Sequence, residues 1–487
     1  MSAQSTTTRE VTLTRLDGRR SGSPHPPQEL WTPRGPSRRS VLAGAAGLGG
    51  TALLGGCAGA GTSPGGGSDS IDVLMVNNPQ MIDLQALTEE HFTRPTGIRV
   101  NYTVLPENDV RDKIAQEFSS QAGTYDVASI SNYETPFYSQ LGWILPLDEF
   151  FDADPDFDQA DILPSMSTAL TGDDGRIYAE PFYGESSFLM YRADVFEQLG
   201  IELSAQPTWE EVADIAARID RKVPGAPGMR GIALRGQPGW GQVFAPLTTV
   251  VNTFGGTWFE EDWTSRVNAP EFVEATNFYV DLVRAHAPLG SAQAGFAECL
   301  NALTQGQAAM WYDATSAAGS LDAEDSPVAG RMGYAPAPVK ETESSGWLFA
   351  WSWAIQTASA KREAAWRFIS WASGKEYEEL VGNEVGWASV PSGKRTSTYE
   401  NSEYRSSAGP FWEPTQQSIL AARPDDPGVQ PRPAPGIQFV AIPEFANLGT
   451  LTSQGVSAAI AGSTTVEEAL DTGQDLATTQ VTERYQS

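Results

Sequence analysis

The chain of 487 residues holds 61 Asp+Glu against 32 Lys+Arg, a formal net charge of −29. That excess of acid argues against nucleic acid, whose phosphates need a basic face, and against adsorption on anionic lipid. Two cysteines and three dispersed histidines, His25, His91 and His286, exclude a disulfide framework and a Cys/His zinc cluster.

Residues 37–57 read SRRSVLAGAAGLGGTALLGGC. Arg38 and Arg39 precede an uncharged stretch from Val41 to Leu54, shorter than the roughly 20 residues a bilayer span needs. A charged head and a short apolar run read as an export signal, and the arginine pair resembles a twin-arginine signal. Leu54-Gly55-Gly56-Cys57 resembles the lipobox of bacterial lipoproteins, in which the cysteine is acylated. The alternative is a Gly/Ala tail with an incidental cysteine. Residues 1–56 are therefore expected to be a leader, Cys57 a lipid anchor, and residues 57–70, rich in Gly and Ser, a flexible tether. Without the leader the balance is 25 basic to 58 acidic residues, a formal charge of −33, which suits solubility outside the cell.

From Ile71 the pattern alternates. Residues 71–76 form a compact apolar strand, MIDLQALTEEHF a helix closed by Gly97, and IRVNYTVL a second strand. ENDVRDKIAQEF reads as a helix and YDVASIS as a third strand, so parallel βαβ units are predicted. The run Asp152-Ala-Asp-Pro-Asp-Phe-Asp mimics a calcium loop. Phe157 stands where that loop needs glycine and Leu163 where it needs a glutamate, so an acidic turn is the better reading. Thr208 and Glu211 form a capping box before EEVADIAARIDR. AKREAAWRFISWAS predicts a helix stopped at Gly374. RPDDPGVQPRPAPG must be loop, and Thr465 with Glu468 opens a last helix.

The one G-x-S-x-G, Gly61-Thr-Ser-Pro-Gly65, falls in the Gly/Ser-rich tether with no strand before it, and no H-E-x-x-H or phosphate loop occurs in the chain. Fourteen tryptophans are present instead, many beside glycines, an arginine or a carboxylate: RGQPGWG, NTFGGTWFEEDW, AAMWYDATSAAG, GWLFAWSWAI and VGWASVPSGKRTSTY. Singly each reads as core; together they mark loops about a cleft. Indole faces cover the C–H faces of a polyhydroxy ligand. Its hydroxyls donate to carboxylates and accept from Arg or Asn, each such charged bond contributing about 1.5–3 kcal/mol.

PFYGESSFLMYRADVFEQLGI, residues 181–201, resembles the sugar cluster of the extracellular solute-binding proteins of ABC importers. PTWEE, GIALRGQPGWG, VNTFGGTWF, AAMWYDATSAAG, WSWAI, FISWASGKEY, GWASVPSGKRTSTYE and IPEFANLGT follow in order and resemble its polyol branch, for sorbitol and mannitol. The resemblance runs from about residue 71 to 475. It implies an α/β, two-lobed periplasmic-binding-protein-like fold of the maltose-binding type, with an interdomain cleft and crossing strands. Lobe 1 is expected over 71–183 plus 354–386, and lobe 2 over 184–353 plus 387–487. It points at Asn78, Asn132, Tyr133, Glu134, Glu185, Arg235, Trp240, Trp258, Asp313, Trp353, Trp387 and Phe445 as ligand-binding residues, with Phe445 in a loop that closes over the sugar. It also implies a lipid-anchored monomer on the outer face of the cytoplasmic membrane, working with ABC permease subunits, with no cofactor, metal or catalytic residue. A binding protein for another saccharide, an amino acid or a metal is the alternative. An exported glycoside hydrolase is a remoter one, since it would need two carboxylates about 5 to 10 Å apart across the scissile bond.

Overall fold

The computed structural model describes residues 70–487. The expected leader, the Cys57 anchor and all but the last residue of the tether lie outside them. Strands β1 (Ser70–Val76), β2 (Arg99–Leu105), β3 (Val127–Ser131), β4 (Glu180–Glu185), β5 (Ser187–Arg192), β6 (Arg230–Ala233), β7 (Ala308–Ala314), β8 (Met332–Pro336) and β9 (Phe349–Ile355) form two sheets. The first has the order β2-β1-β3-β9-β4 and the second β6-β7-β5-β8.

β1 lies parallel to both β2 and β3, as the alternation of strand and helix implies. It is buried on both sides, hence its unbroken apolar run. β2 is an edge strand and stays partly exposed. The chain leaves the first sheet at Glu185, enters the second at Ser187 and returns at Phe349 to insert β9 antiparallel between β3 and β4. The first sheet is therefore complete only after the second has been built. The boundaries expected at 183/184 and 353/354 fall inside β4 and β9.

Local signals act where the sequence places them. Gly97, at φ 74°, ends the first helical segment. Thr208 accepts a hydrogen bond from the Glu211 amide and Thr465 from that of Glu468, opening helices Trp209–Ile219 and Val466–Ala477. The acidic run near 152–158 is tied down by side chains of the helix Arg362–Ser373 and its C-terminal flank: Asp154 accepts from Ser370 and Trp366, and Asp158 from Lys375. Residues 422–444, around the proline-rich segment, hold neither helix nor strand. No helix of the described residues is long and apolar enough to cross a membrane.

Candidate functional site

A cavity opens between the two sheets, with about 370 Å³ of non-atom space counting the part open to solvent. The first lobe contributes Asn78 just after β1, Glu107 and Arg111 on the helix Glu107–Ser120, Tyr183 and Glu185 on β4, and Phe349 and Trp351 on β9. The second contributes Arg235 after β6, Ala314 at the end of β7, Phe296 and Ser316. Gly241, Ala245, Trp347, Gln438 and Phe439 complete the wall.

Two arginines are held rigid. Arg235 donates from Nε and Nη2 to both oxygens of Asp313, at 2.8 and 2.5 Å, and from Nη1 to the Gly241 carbonyl. Asp313 is fully buried and also accepts from Trp311 Nε1 and the Ala314 amide. Its oxygens are thus occupied, and its role is to fix the Arg235 fork. Arg111 donates to Glu134 at 2.6 Å and to Glu107 at 2.9 Å. Its guanidinium lies 4.1 Å from the ring centre of Trp240 and 4.7 Å from that of Trp351. Glu134 is consumed there and by the Ser131 amide.

Glu107 bridges the lobes: its second oxygen accepts from Gln242 Nε2 at 3.0 Å and lies 4.0 Å from Arg235. Gln80 donates to the Ser316 carbonyl and Asn108 to that of Pro238 in the same sense.

Glu185 is different. Ser316 Oγ donates to its Oε2 at 2.5 Å, and Oε1 has no hydrogen bond among the described residues. Burial pushes its carboxyl up to about 8, against the smaller pull of Ser316 and Arg235. At neutral pH it therefore carries a proton and can donate as well as accept. Its position depends on Gly184, whose backbone packs directly on Gly393; a Cβ on Gly184 would meet the Gly393 carbonyl oxygen at 2.2 Å. Asn78 donates to the Tyr183 hydroxyl. Trp347 Nε1 is buried with no partner, an indole donor on the cavity wall.

Of the twelve expected residues, Asn78, Glu185 and Arg235 line the cavity. Glu134, Trp240 and Asp313 stand behind it and fix the two arginines. Asn132 and Tyr133 face a neighbouring cavity. There Asn132 bonds the backbone at Leu348 and Ala350, while the Tyr133 hydroxyl donates to the Ile442 carbonyl and accepts from the Ala446 amide. Trp258, Trp353 and Phe445 are core residues. Trp258 packs against Phe244, Phe272 and Phe445, and Trp353 against Phe182 and Phe368. Phe445 begins the helix Phe445–Ile460 rather than lying in a closing loop. Trp387 sits half-buried against Gly382, away from the cavity.

Glu107, Arg111, Tyr183, Phe296, Ser316, Gln438 and Phe439 were not anticipated. Glu107 and Arg111 sit four apart on a helix, the spacing of an ordinary surface pair. Trp347 and Trp351 fall in a tryptophan-rich segment that the sequence does single out.

The arrangement can bind but offers little for bond cleavage. Glu107, Glu134 and Asp313 are each locked to an arginine, and Glu185 presents one free oxygen. Residues 78–379 match the family described as bacterial extracellular solute-binding protein. The chain belongs to this family, whose members bind solutes rather than transform them. The mannitol-binding protein of Pseudomonas aeruginosa is 36% identical over 84% of this chain and 92% of its own length. An ABC transporter solute-binding protein of Agrobacterium vitis, solved with D-mannitol bound, superposes with a TM-score of 0.81 at 42% identity, over 85% of this chain and 97% of that one. A maltose-bound protein of T. maritima shares the two-lobed fold, with a TM-score of 0.71 at 20% identity over 84% and 99% of the two chains.

Proposed function

We propose that the chain is the substrate-binding component of an ABC importer for a polyol of the mannitol class, tethered outside the cell by a lipid on Cys57. The observation that carries this is the cavity between the lobes. It combines the free carboxyl edge of Glu185, the Arg235 fork and the unpartnered indole donor of Trp347 with aromatic walls from Phe349 and Trp351. An uncharged chain of hydroxyls satisfies those groups, whereas a ligand lacking them leaves buried polar groups unpaired. The similarity to two mannitol binders over most of the chain supports the same reading.

The mechanism follows from the division of the wall. Glu185 and Asn78 belong to the first sheet and its flank, and Arg235 and Ser316 to the second. A ligand touching both sets binds the closed form more tightly than the open one and shifts the population toward it. The permease then takes up the closed, loaded form. We place the lobe division where the chain changes sheet, at Ser186 and between Pro336 and Phe349.

Titration calorimetry with mannitol, sorbitol, arabitol, hexoses and amino acids tests the reading. Stoichiometric binding of a hexitol with a Kd on the order of micromolar is expected. Indifference to every polyol with binding of an amino acid would overturn it. Mass spectrometry of the protein from membranes tests the anchor: an acylated N-terminal Cys57 is expected, and an unmodified one would remove it.

A further inference from the structure

Gln438 and Phe439 also line a second, larger cavity, of about 1210 Å³ of empty space counting its open part. These two residues are the ones common to both walls. One side of the second cavity is formed by the first lobe, around Tyr133, Pro136 and residues 164–171, and the other by the 422–444 stretch. The chemistry changes across the partition. The first cavity is lined by two arginines and two glutamates. The second is lined by Pro136, Pro164, Pro424, Pro435, Leu348 and Ile437, with no cation and with Asp425 as its one acid. Prolines present CH₂ faces and no N–H donor. Contiguous open apolar surface of this kind marks a binding region.

We propose that this chamber is a second binding site of the cleft, for the uncharged alkyl or aryl substituent of a substituted polyol. The polyol head occupies the first cavity, and Phe439 is the partition between head and tail. An unsubstituted hexitol leaves the chamber empty. Asp425 and the absence of any lining cation disfavour anionic tails. The Phe439 ring is buried and packs against Tyr133, Trp240, Phe349 and Phe445, which holds the partition in place between the two cavities. The assignment of the head rests on the polyol reading above; the existence of the chamber does not.

The test uses the full chain and a neutral apolar dye, N-phenyl-1-naphthylamine, titrated by fluorescence with and without saturating mannitol. Saturable dye binding is expected in both conditions. Ala169→Trp, which fills the chamber from the helix Pro164–Ala169, is expected to weaken it at least tenfold while mannitol affinity stays as in the wild type. The 1-O-hexyl ether of mannitol is expected to bind the wild type at least about tenfold more tightly than mannitol, and to lose that advantage in the variant. Thr168→Trp, on an exposed position of the same wall, carries the same expectation should Ala169→Trp fail to melt cooperatively. The proposal is overturned by absence of saturable dye binding, by dye binding that neither tryptophan affects, or by a hexyl ether no tighter than mannitol. Dye binding without mannitol binding would overturn the polyol reading and leave the chamber standing.

Discussion

The β4–β9 ladder places a glutamate and an aromatic residue together at each end. At one end Glu180 pairs with Trp353, and at the other Glu185 pairs with Phe349. Both glutamates are buried, and burial pushes both carboxyls up to about 8. Glu180 is sealed inside the first lobe beside Lys394, Arg395 and Gln159, whereas Glu185 faces the cavity with one oxygen held by Ser316. The aromatic residues divide in the same way. Trp353 is locked in a cluster with Phe182 and Phe368, while Trp351, two residues earlier on the same strand, lines the cavity. Identical residue types thus serve packing at one end of a ladder and face the cavity at the other. Position along the strand decides, by a step of about 7 Å for two residues.

The sharpest way to break this contrast is at the anchor behind the cavity. Asp313→Ala removes the buried counter-charge of Arg235 and leaves its guanidinium only the Gly241 carbonyl and the edge of Glu107, and a loss of about 3–5 kcal/mol in chemical unfolding is expected together with loss of polyol binding. Trp353→Ala removes a core ring, with an expected cost of about 3–5 kcal/mol in stability and polyol affinity retained by the folded fraction. Trp347→Phe keeps a ring on the wall and removes the indole N–H. Affinity should fall by about 0.5–1.5 kcal/mol, read by calorimetry, with the melting temperature unchanged.

The two glutamates make the same prediction for stability with pH and different ones for affinity. Each has a folded pKa raised above its usual 4.5, so the folded state holds the proton more tightly than the unfolded chain. Each contribution is fully present below about 4.5, declines as pH rises toward about 8, and is then flat. Glu180→Gln should therefore flatten part of the stability slope between those values without touching affinity. Glu185→Gln should flatten its own part and also remove any change in polyol affinity centred near pH 8. Urea melts and titrations across that range check both; a Glu180→Gln variant with altered affinity would erase the distinction.

Much of the architecture was legible in the sequence because it rests on local signals. The apolar run at 71–76, the capping threonines at 208 and 465 and the stop at Gly97 all act within a few residues of where they are written. The site was legible only in part. Glu185, Arg235 and Asn78, to which the resemblance points, stand at or just after strand ends on the cavity wall. Asp313 and Glu134, to which the resemblance points, are each held by an arginine 78 or 23 residues away, a pairing that no local pattern in the sequence reveals. Glu107 and Arg111 were missed for the converse reason: an i,i+4 pair on a helix carries no mark of the opposite lobe that buries it. Gln438 and Phe439 lie in a stretch with no periodicity, brought to the cavity by packing alone.

The measurement that bears most directly on the cavity as the polyol site is a calorimetric titration of mannitol into wild type and Glu185→Ala at pH 7. The account predicts an affinity at least about tenfold weaker in the variant, which still unfolds cooperatively, the loss of a hydrogen-bonding edge worth about 1.4 kcal/mol or more. Equal affinity in the two proteins would contradict it.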